Sequence, residues 1–539
     1  MARLKILPED NWIEVPSGIT LLEALRMSGY RLDAPCSGLG ICGKCKVIAE
    51  GESSPLNEAE QKFIKVESNE RLACMARVIG DVEVRLLDNF STFQSAEQDF
   101  SFNKNVNNAY KVIQAEDESK LYHLHWQSYE IDTYKNYPKV LGVAVDIGTT
   151  GISYALVDLE SGEKIEKLSS LNQQVSFGGD VLSRMTATLT DESALIQMHD
   201  SIINQLNQEI SALALKADID TESIYHIAIA ANTTMVHFLL AAEVESMSKY
   251  PYHPKILAPS SFPAQALGLK SCHSKAKLSI MPGISAYVGG DIVSGLLCEE
   301  VKREGLSLFI DIGTNGEIVL IDKGHMYCAS AAAGPALEGM NIECGCRANE
   351  GAIERFTLSD DGNPIYKTIG DKEATGICGS GLIDLVGSLV NKGWINTTGR
   401  WEKDKSNLLT DKKYYITESV YLSQKDIRQI QLAKGAIASG ILALLDEVHK
   451  SINDVETVYI AGAFGFHISQ EHLLSIGLIP KGCQCEMVFL GNTSLKGAYM
   501  LLLDEKIHKD ALMLSKKVKY IELSTIPNFQ DTFIQQLNF

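Results

Sequence analysis

The chain has 539 residues, 45% of them hydrophobic and 22% charged, and a formal net charge of −19 at pH 7. That length requires several cores, because a single core stops growing near roughly 250–300 residues. The acidic balance leaves no broad basic face to neutralise phosphates and argues against a nucleic-acid partner, and no apolar run reaches the roughly 18 residues of a membrane span.

The opening M-A-R-L-K-I-L-P-E-D has no apolar signal core, so a cytoplasmic setting is expected. Residues 1–88 read as a small β-rich domain. Residues 4–7 and 12–15 are expected to pair as strands. A helix over 20–29 has Thr20 as N-cap, apolar spacing at Leu21, Leu22 and Leu25, and Gly29 as its stop. Residues 46–48 and 82–87 read as further strands.

Within this domain Cys36, Cys42 and Cys45 stand in C-S-G-L-G-I-C-G-K-C, and Cys74 ends R-L-A-C. Glycines let the backbone wrap closely around a compact inorganic core, and four thiolates satisfy two tetrahedral irons. The C-x5-C-x2-C…C spacing is one residue longer in its first gap than the plant-type ferredoxin pattern. A zinc ribbon shows two separated C-x2-C pairs, and a disulfide framework belongs to secreted chains. A 2Fe–2S cluster on Cys36, Cys42, Cys45 and Cys74 is therefore expected, with zinc or unligated thiols as the alternative. The order of strands, helix and cysteine loop resembles the β-grasp fold of 2Fe–2S ferredoxins over about the first 90 residues.

Residues 89–139 are polar with scattered aromatics and no sustained period, which predicts a linker. Tyr122, Trp126, Tyr129 and Tyr134 near its end are expected to pack on a neighbouring domain.

From residue 140 apolar strands alternate with helices, an α/β pattern. V-A-V-D-I-G-T-T-G-I-S-Y-A-L-V-D from residue 143 is echoed by F-I-D-I-G-T-N-G-E-I-V-L-I-D from residue 309. Each copy reads as a buried strand, a tight turn and a second strand, so the fold is expected to be duplicated around a cleft. The lobes are expected over 140–300 and 301–539. At such a turn glycine permits close approach, amides and threonine hydroxyls bond phosphate oxygens, and the aspartate orders hydrated Mg²⁺. A third element, V-Y-I-A-G-A-F-G-F-H-I-S from residue 458, reads as a strand entering a glycine turn.

These residues resemble the superfamily of acetate and sugar kinases, Hsp70 chaperones and actin, over 140–503. The resemblance implies a first phosphate motif at Asp146, Gly148, Thr149 and Thr150, and a second at Asp311, Gly313, Thr314 and Asn315. It implies an adenosine motif at Gly462 and Gly465, and Mg²⁺ ordered by Asp146 and Asp311. Asp291, in G-G-D-I-V-S-G-L-L, is either the acid facing the γ-phosphate or a helix N-cap. Gly334 and Gly379–Gly381 are expected to line the cleft with backbone donors. Residues 232–235 and 178–180 read as loops, and His237 and His467 as hydrogen-bonding rather than metal-ligating.

A one-electron carrier fused to an ATPase cleft makes chemical sense if ATP drives an electron uphill. Plant-type clusters sit near about −400 mV, and an acceptor ~120 mV lower is disfavoured about a hundredfold for one electron. The fused arrangement, with G-M-N-I-E-C-G-C-R-A-N-E-G-A-I-E from residue 339, resembles the reductive activators of corrinoid enzymes. That resemblance implies an enzyme that spends ATP to return Co(II) corrinoid to Co(I), with a corrinoid protein and a low-potential donor as partners and room for a homodimer. One departure is that only about 50 residues separate the cluster domain from the first phosphate motif, where larger members carry a further domain. The alternatives are an activator of another low-potential enzyme, with Cys344, Cys346, Cys483 and Cys485 as conceivable cluster ligands, or a small-molecule kinase with an iron–sulfur regulatory domain.

Overall fold

The computed structural model describes residues 2–7, 12–28, 32, 40, 43, 45–64, 69–86, 107, 109–115, 121–191, 193–359, 361–462 and 468–539. Two compact units divide the chain: Met1–Thr92 with Gln174–Ala187, and Phe93–Gln173 with Thr188–Phe539.

The first unit is built on strands β1 (Ala2–Leu7), β2 (Trp12–Val15), β3 (Lys46–Ser53), β4 (Glu70–Leu72) and β5 (Val78–Leu86). They form one sheet in the order β2-β1-β5-β3-β4, with β1 and β5 parallel. This is the β-grasp arrangement. The helix Leu21–Met27 begins at a capping box: the Glu23 amide donates to Thr20 Oγ1, and the Thr20 amide donates to Glu23. Its Leu21, Leu22 and Leu25 are buried in the sheet's core.

The second unit opens with β6 (Tyr110–Gln114), β7 (Tyr122–Trp126) and β8 (Tyr129–Tyr134), a small antiparallel sheet. A linker running through to residue 139 is therefore corrected: its second half is folded. Tyr122, Leu124 and Trp126 alternate with histidines at the two-residue period of a strand, and Leu124 is fully buried. Tyr110 donates to the Tyr225 carbonyl, and Tyr134 and Tyr225 share a hydroxyl contact. Tyr129 stays exposed.

Strands β9 (Leu141–Ile147), β10 (Gly151–Asp158), β11 (Lys164–Leu171), β12 (Ile224–Ala231), β13 (Phe262–Pro263) and β14 (Lys277–Ile280) form a sheet in the order β11-β10-β9-β12-β14-β13. A second sheet follows the same plan. It uses β15 (Leu306–Ile312), β16 (Gly316–Asp322) and β17 (His325–Ala331). Next come a three-stranded sheet of β18 (Ala352–Leu358), β19 (Pro364–Thr368) and β20 (Gly376–Ile377), and a hairpin of β21 (Lys413–Tyr415) and β22 (Tyr421–Ser423). β23 (Thr457–Ala461), β24 (Glu486–Gly491) and β25 (Val518–Tyr520) complete the order β24-β23-β15-β16-β17-β25. In each sheet two hairpins lead into parallel strands, so the second lobe repeats the first.

β9 and β15 are apolar along nearly their whole length because both faces are covered. One core joins residues of both sheets to the helices Gly290–Leu296 and Thr493–Leu503. A second core lies on the other face of the second sheet, under the helices Gly379–Asn391 and Gln424–Glu447. Among the described residues, no helix is long and apolar enough to cross a membrane.

Candidate functional site

Cys45 and Cys74 are both buried, and their sulfurs lie 3.2 Å apart. One backbone bond and one side-chain ion pair bring them together. The Ala73 amide donates to the Cys45 carbonyl at 2.8 Å, and Arg71 forks onto the fully buried Glu60, with Nε and Nη2 each 3.0 Å from a carboxylate oxygen. Glu60 also accepts the Leu72 amide at 3.1 Å. The R-L-A-C segment is thus pinned immediately before Cys74. Gly43 has φ +67°, and a Cβ there would stand 2.5 Å from the Phe63 ring, so this position, two before Cys45, favours glycine. Two buried soft sulfur donors brought this close fit an iron–sulfur cluster. Cys36 and Cys42 lie outside the described residues.

In the second unit one cleft gathers most of the remaining residues singled out in the sequence. Asp146, Gly148, Thr149, Thr150, Asp291, Asp311, Gly313, Thr314, Asn315, Gly379 and Gly462 all line it. Gly334 does not; it leads into the short turn Pro335–Glu338, which carries Glu338 into the cleft. Gly465 and His467 lie outside the described residues.

The two aspartates occupy equivalent strand ends. Asp146 faces Ser153 across β9–β10, and Asp311 faces Glu317 across β15–β16. The Gly148 amide donates to Gly151 and the Gly313 amide to Asn315, each at 2.9 Å, so both glycine amides close their own turns. The threonines are the groups that point inward. Thr150 and Thr314 each donate to Glu338 Oε2, at 3.3 and 3.2 Å. Asn232, the N-cap of the helix Thr233–Leu239, donates to Thr149 Oγ1 at 3.0 Å. Asp146 accepts from Asn492 at 2.9 Å and Ser494 at 2.6 Å, so the first turn of the helix Thr493–Leu503 fixes its carboxylate.

Gly462 has φ +116°, and a Cβ there would lie 2.5 Å from the Ile312 carbonyl oxygen. Close approach of β23 to β15 and the left-handed backbone therefore require this glycine; making room for an adenosine face is a separate matter. Gly379 and Ser380 open a 13-residue helix whose N-terminus reaches the cleft, a favourable setting for an anion.

Five carboxylates meet here: Asp146, Asp291, Asp311, Glu317 and Glu338, with Arg347 as the cationic lining residue. Burial, then the charges of Asp291 and Asp146, push Asp311 up to about 8. Burial pushes Asp291 up to about 7, opposed by the Ile292 amide. Glu317 and Glu338 are also raised, chiefly by burial. Such a cluster is destabilised when empty and suits a cation brought by an anionic ligand. Among the described residues, no three or more His, Cys, Asp or Glu are grouped so as to hold a metal ion directly.

Sequence reasoning missed Glu317, Glu338, Asn492 and Ser494. Glu317 was legible, since it follows the second D-I-G-T-N-G directly. Glu338 sits in an alanine- and glycine-rich loop with no local signal. Asn492 and Ser494 belong to an ordinary helix start, G-N-T-S. The four-cysteine cluster considered for Cys344, Cys346, Cys483 and Cys485 is corrected: Cys483 and Cys485 are joined to each other in a disulfide, while Cys344 and Cys346 are not in one. His237 is buried between the Thr233 carbonyl at 2.7 Å and the Lys255 and Ile256 amides, which makes it a hydrogen-bonding histidine.

A ferredoxin-like β-grasp unit on the same chain as two repeated lobes around an acidic cleft defines the class: an iron–sulfur protein with an ATPase fold. Family models agree along the chain. The 2Fe-2S iron-sulfur cluster binding domain matches residues 4–78, the RACo middle region 141–304, and the C-terminal domain of RACo, the ASKHA domain, 305–539. The chain is 32% identical over 426 residues to the corrinoid activation enzyme RamQ of Eubacterium limosum, covering 74% of this chain and 70% of the relative. It is 26% identical over 430 residues to the Co(II) methylated amine-specific corrinoid protein reductase of Methanosarcina barkeri, covering 74% and 77%. The solved structure of a reductive activator for corrinoid, iron–sulfur protein is 26% identical, with a TM-score of 0.75 over 100% of this chain and 98% of that one. The chain belongs to this RACo family of corrinoid-activating proteins.

Proposed function

We propose that this chain is an ATP-dependent reductive activator that passes one electron from its 2Fe–2S cluster to Co(II) in a corrinoid protein and so restores Co(I). The carrying observation is that cluster domain and duplicated cleft follow one another over the full length of a solved reductive activator, at a TM-score of 0.75.

Held by Cys36, Cys42, Cys45 and Cys74, a 2Fe–2S cluster supplies a one-electron carrier fed by a low-potential donor. The Arg71–Glu60 fork would hold Cys74 in place for that cluster. In the cleft, Thr150 and Thr314 would turn their hydroxyls from Glu338 to nucleotide phosphate. Asp146, oriented by Asn492 and Ser494, and Asp311 would be the residues to hold hydrated Mg²⁺ brought with the nucleotide. Asp291 is placed to accept a proton from water at the γ-phosphate. ATP binding and hydrolysis move the lobes against each other, which gives the corrinoid partner a Co(II) environment that is easier to reduce and then releases the activator. The reaction is set in the cytoplasm.

The test is anaerobic. Protein, reductant and a Co(II) corrinoid protein are followed by visible absorption with and without ATP. Co(I) should appear only with ATP and be lost in Asp311→Ala and Cys42→Ser. A cluster that reduces while cobalt stays unchanged across several corrinoid proteins overturns the corrinoid assignment.

A further inference from the structure

We propose that a polar cavity against the small β6–β8 sheet is a second binding site, for a small anion carrying a phosphate or carboxylate group, with Lys277 as its charge partner. The cavity, of about 280 Å³, is lined by Lys277, His226, His508, Trp126, Gln127 and Glu505 among others. It lies just below the usual range of small-molecule pockets, roughly 300–1,000 Å³, and shares no lining residue with the nucleotide cleft.

Its lining holds polar groups still lacking partners. His226 is 6% exposed; its Nε2 bonds Ser279 Oγ at 2.9 Å, and its Nδ1 has no partner. His508 Nε2 is likewise buried and unpartnered, while its ring bonds the Pro259 carbonyl. Lys277 Nζ stands 4.9 Å from the centre of the Trp126 ring, and among the described residues it has neither an ion pair nor a hydrogen bond. Burial disfavours its charge and lowers its pKa. The lining carboxylate, Glu505, is engaged by Gln127 Nε2 at 3.0 Å. Buried polar atoms normally have partners, and polar cavities are filled whereas apolar ones stay dry. His508 donates from Nδ1 to the Pro259 carbonyl, so its Nε2 is an acceptor that fits a protonated oxygen of the anion. The Lys277 ammonium and, with Ser279 donating to Nε2, the His226 Nδ1–H supply the donors for its charged oxygens.

The experiment uses the full chain with its cleft saturated by a non-hydrolysable ATP analogue and Mg²⁺, so that added anions cannot enter there. Inorganic phosphate and, separately, succinate are titrated by calorimetry and by Trp fluorescence. Saturable binding of either anion is expected, at least tenfold weaker in Lys277→Met and in Lys277→Gln, with a fluorescence change that disappears in Trp126→Phe. The anion that binds identifies the group recognised. Both Lys277 variants remove a half-buried charge whose contact is the Trp126 ring and which burial disfavours, so folding should survive. Absence of saturable binding of both anions to the unmodified protein, or unchanged affinity in the Lys277 variants, overturns the proposal.

Discussion

Thr150 and Thr314 come from equivalent turns of the two lobes, and their hydroxyl oxygens lie 3.1 Å apart. Each hydroxyl has one proton, and each is within reach of Glu338 Oε2. The two lobes therefore share one acceptor. An incoming phosphate must take over both hydroxyls, which makes the pair a single unit in nucleotide binding. Thr150→Val and Thr314→Val should each weaken ATP binding by about 1.5–3 kcal/mol, the range for a hydrogen bond to a charged group. The double variant should lose less than the sum, with a coupling of about 0.5–2 kcal/mol. A nucleotide titration across the four proteins decides; strictly additive losses mean that the threonines serve separate partners.

Asp311 faces Glu317 directly across its hairpin, with Asp291 and Asp146 close enough to raise its pKa. A carboxyl whose pKa is raised from 3.8 to about 8 keeps its proton in the folded chain at pH 7 while the unfolded chain gives it up, so it lowers stability above about pH 4. Asp311→Asn should therefore stabilise the nucleotide-free protein at pH 7, with the gain shrinking as pH falls towards about 4. The same variant should lose the extra stability conferred by Mg²⁺ and ATP, and its ATP-dependent electron transfer should fall at least about a hundredfold. Thermal unfolding with and without Mg²⁺-ATP tests both parts. A variant less stable without nucleotide would show that the carboxylate is held by unseen favourable contacts.

The difference between what was legible and what was not follows the range of the signal. Asp146 and Asp311 stood out because a strand's apolar run and a glycine turn are local in sequence, and the same pattern recurs. The Thr20 cap was legible for the same reason: its partner Glu23 is three residues away. Glu338 was not, because it reaches Thr150 across 188 positions from a turn whose neighbours are alanine and glycine. Asn492 and Ser494 read as a plain cap because nothing near them marks Asp146, 346 positions earlier, as their partner. The β6–β8 sheet was hidden by its polar outer face: Tyr122, Leu124 and Trp126 alternate, but His123 and His125 between them lower the apolar signal.

Glu60 and Arg71 predict how the cluster domain fails. Both side chains are buried, and the carboxylate has three donors from Arg71 and Leu72. Removing one partner of a buried pair costs about 3–5 kcal/mol, because the other charge is left uncompensated. Glu60→Ala should therefore lower the cluster content of purified protein, seen as lost visible absorption per chain, while nucleotide binding in the other unit persists. Replacing both together, Glu60→Leu with Arg71→Met, should recover part of the loss. If Glu60→Ala keeps a full complement of iron, the fork does not position Cys74.

Lys434 gives the chain a pH dependence of definite sign. It lies fully buried on the helix Gln424–Glu447, donates to the Asn538 carbonyl, and stands 5.3 Å from the Phe539 ring centre. Burial, then the positive charge of Lys481, lowers its pKa from 10.5 to about 7. Below about pH 7 both folded and unfolded chains carry the proton, and the folded state bears the full cost of burying it. Between about 7 and 10.5 the unfolded chain holds more protons than the folded one, so this group makes stability rise with pH, by at most about 1.4 kcal/mol per pH unit. Above the unfolded value the cost is gone. Lys434→Met removes the titration, so its stability relative to the parent should be greatest near pH 7 and fall steadily towards pH 10. Urea unfolding at pH 7, 8 and 9 measures this, read by fluorescence of Trp394 and Trp401, which pack in or against the same core as Phe539. A difference that stays constant across that range means Lys434 keeps its proton throughout, and the C-terminal carbonyl then compensates its charge more fully than burial penalises it.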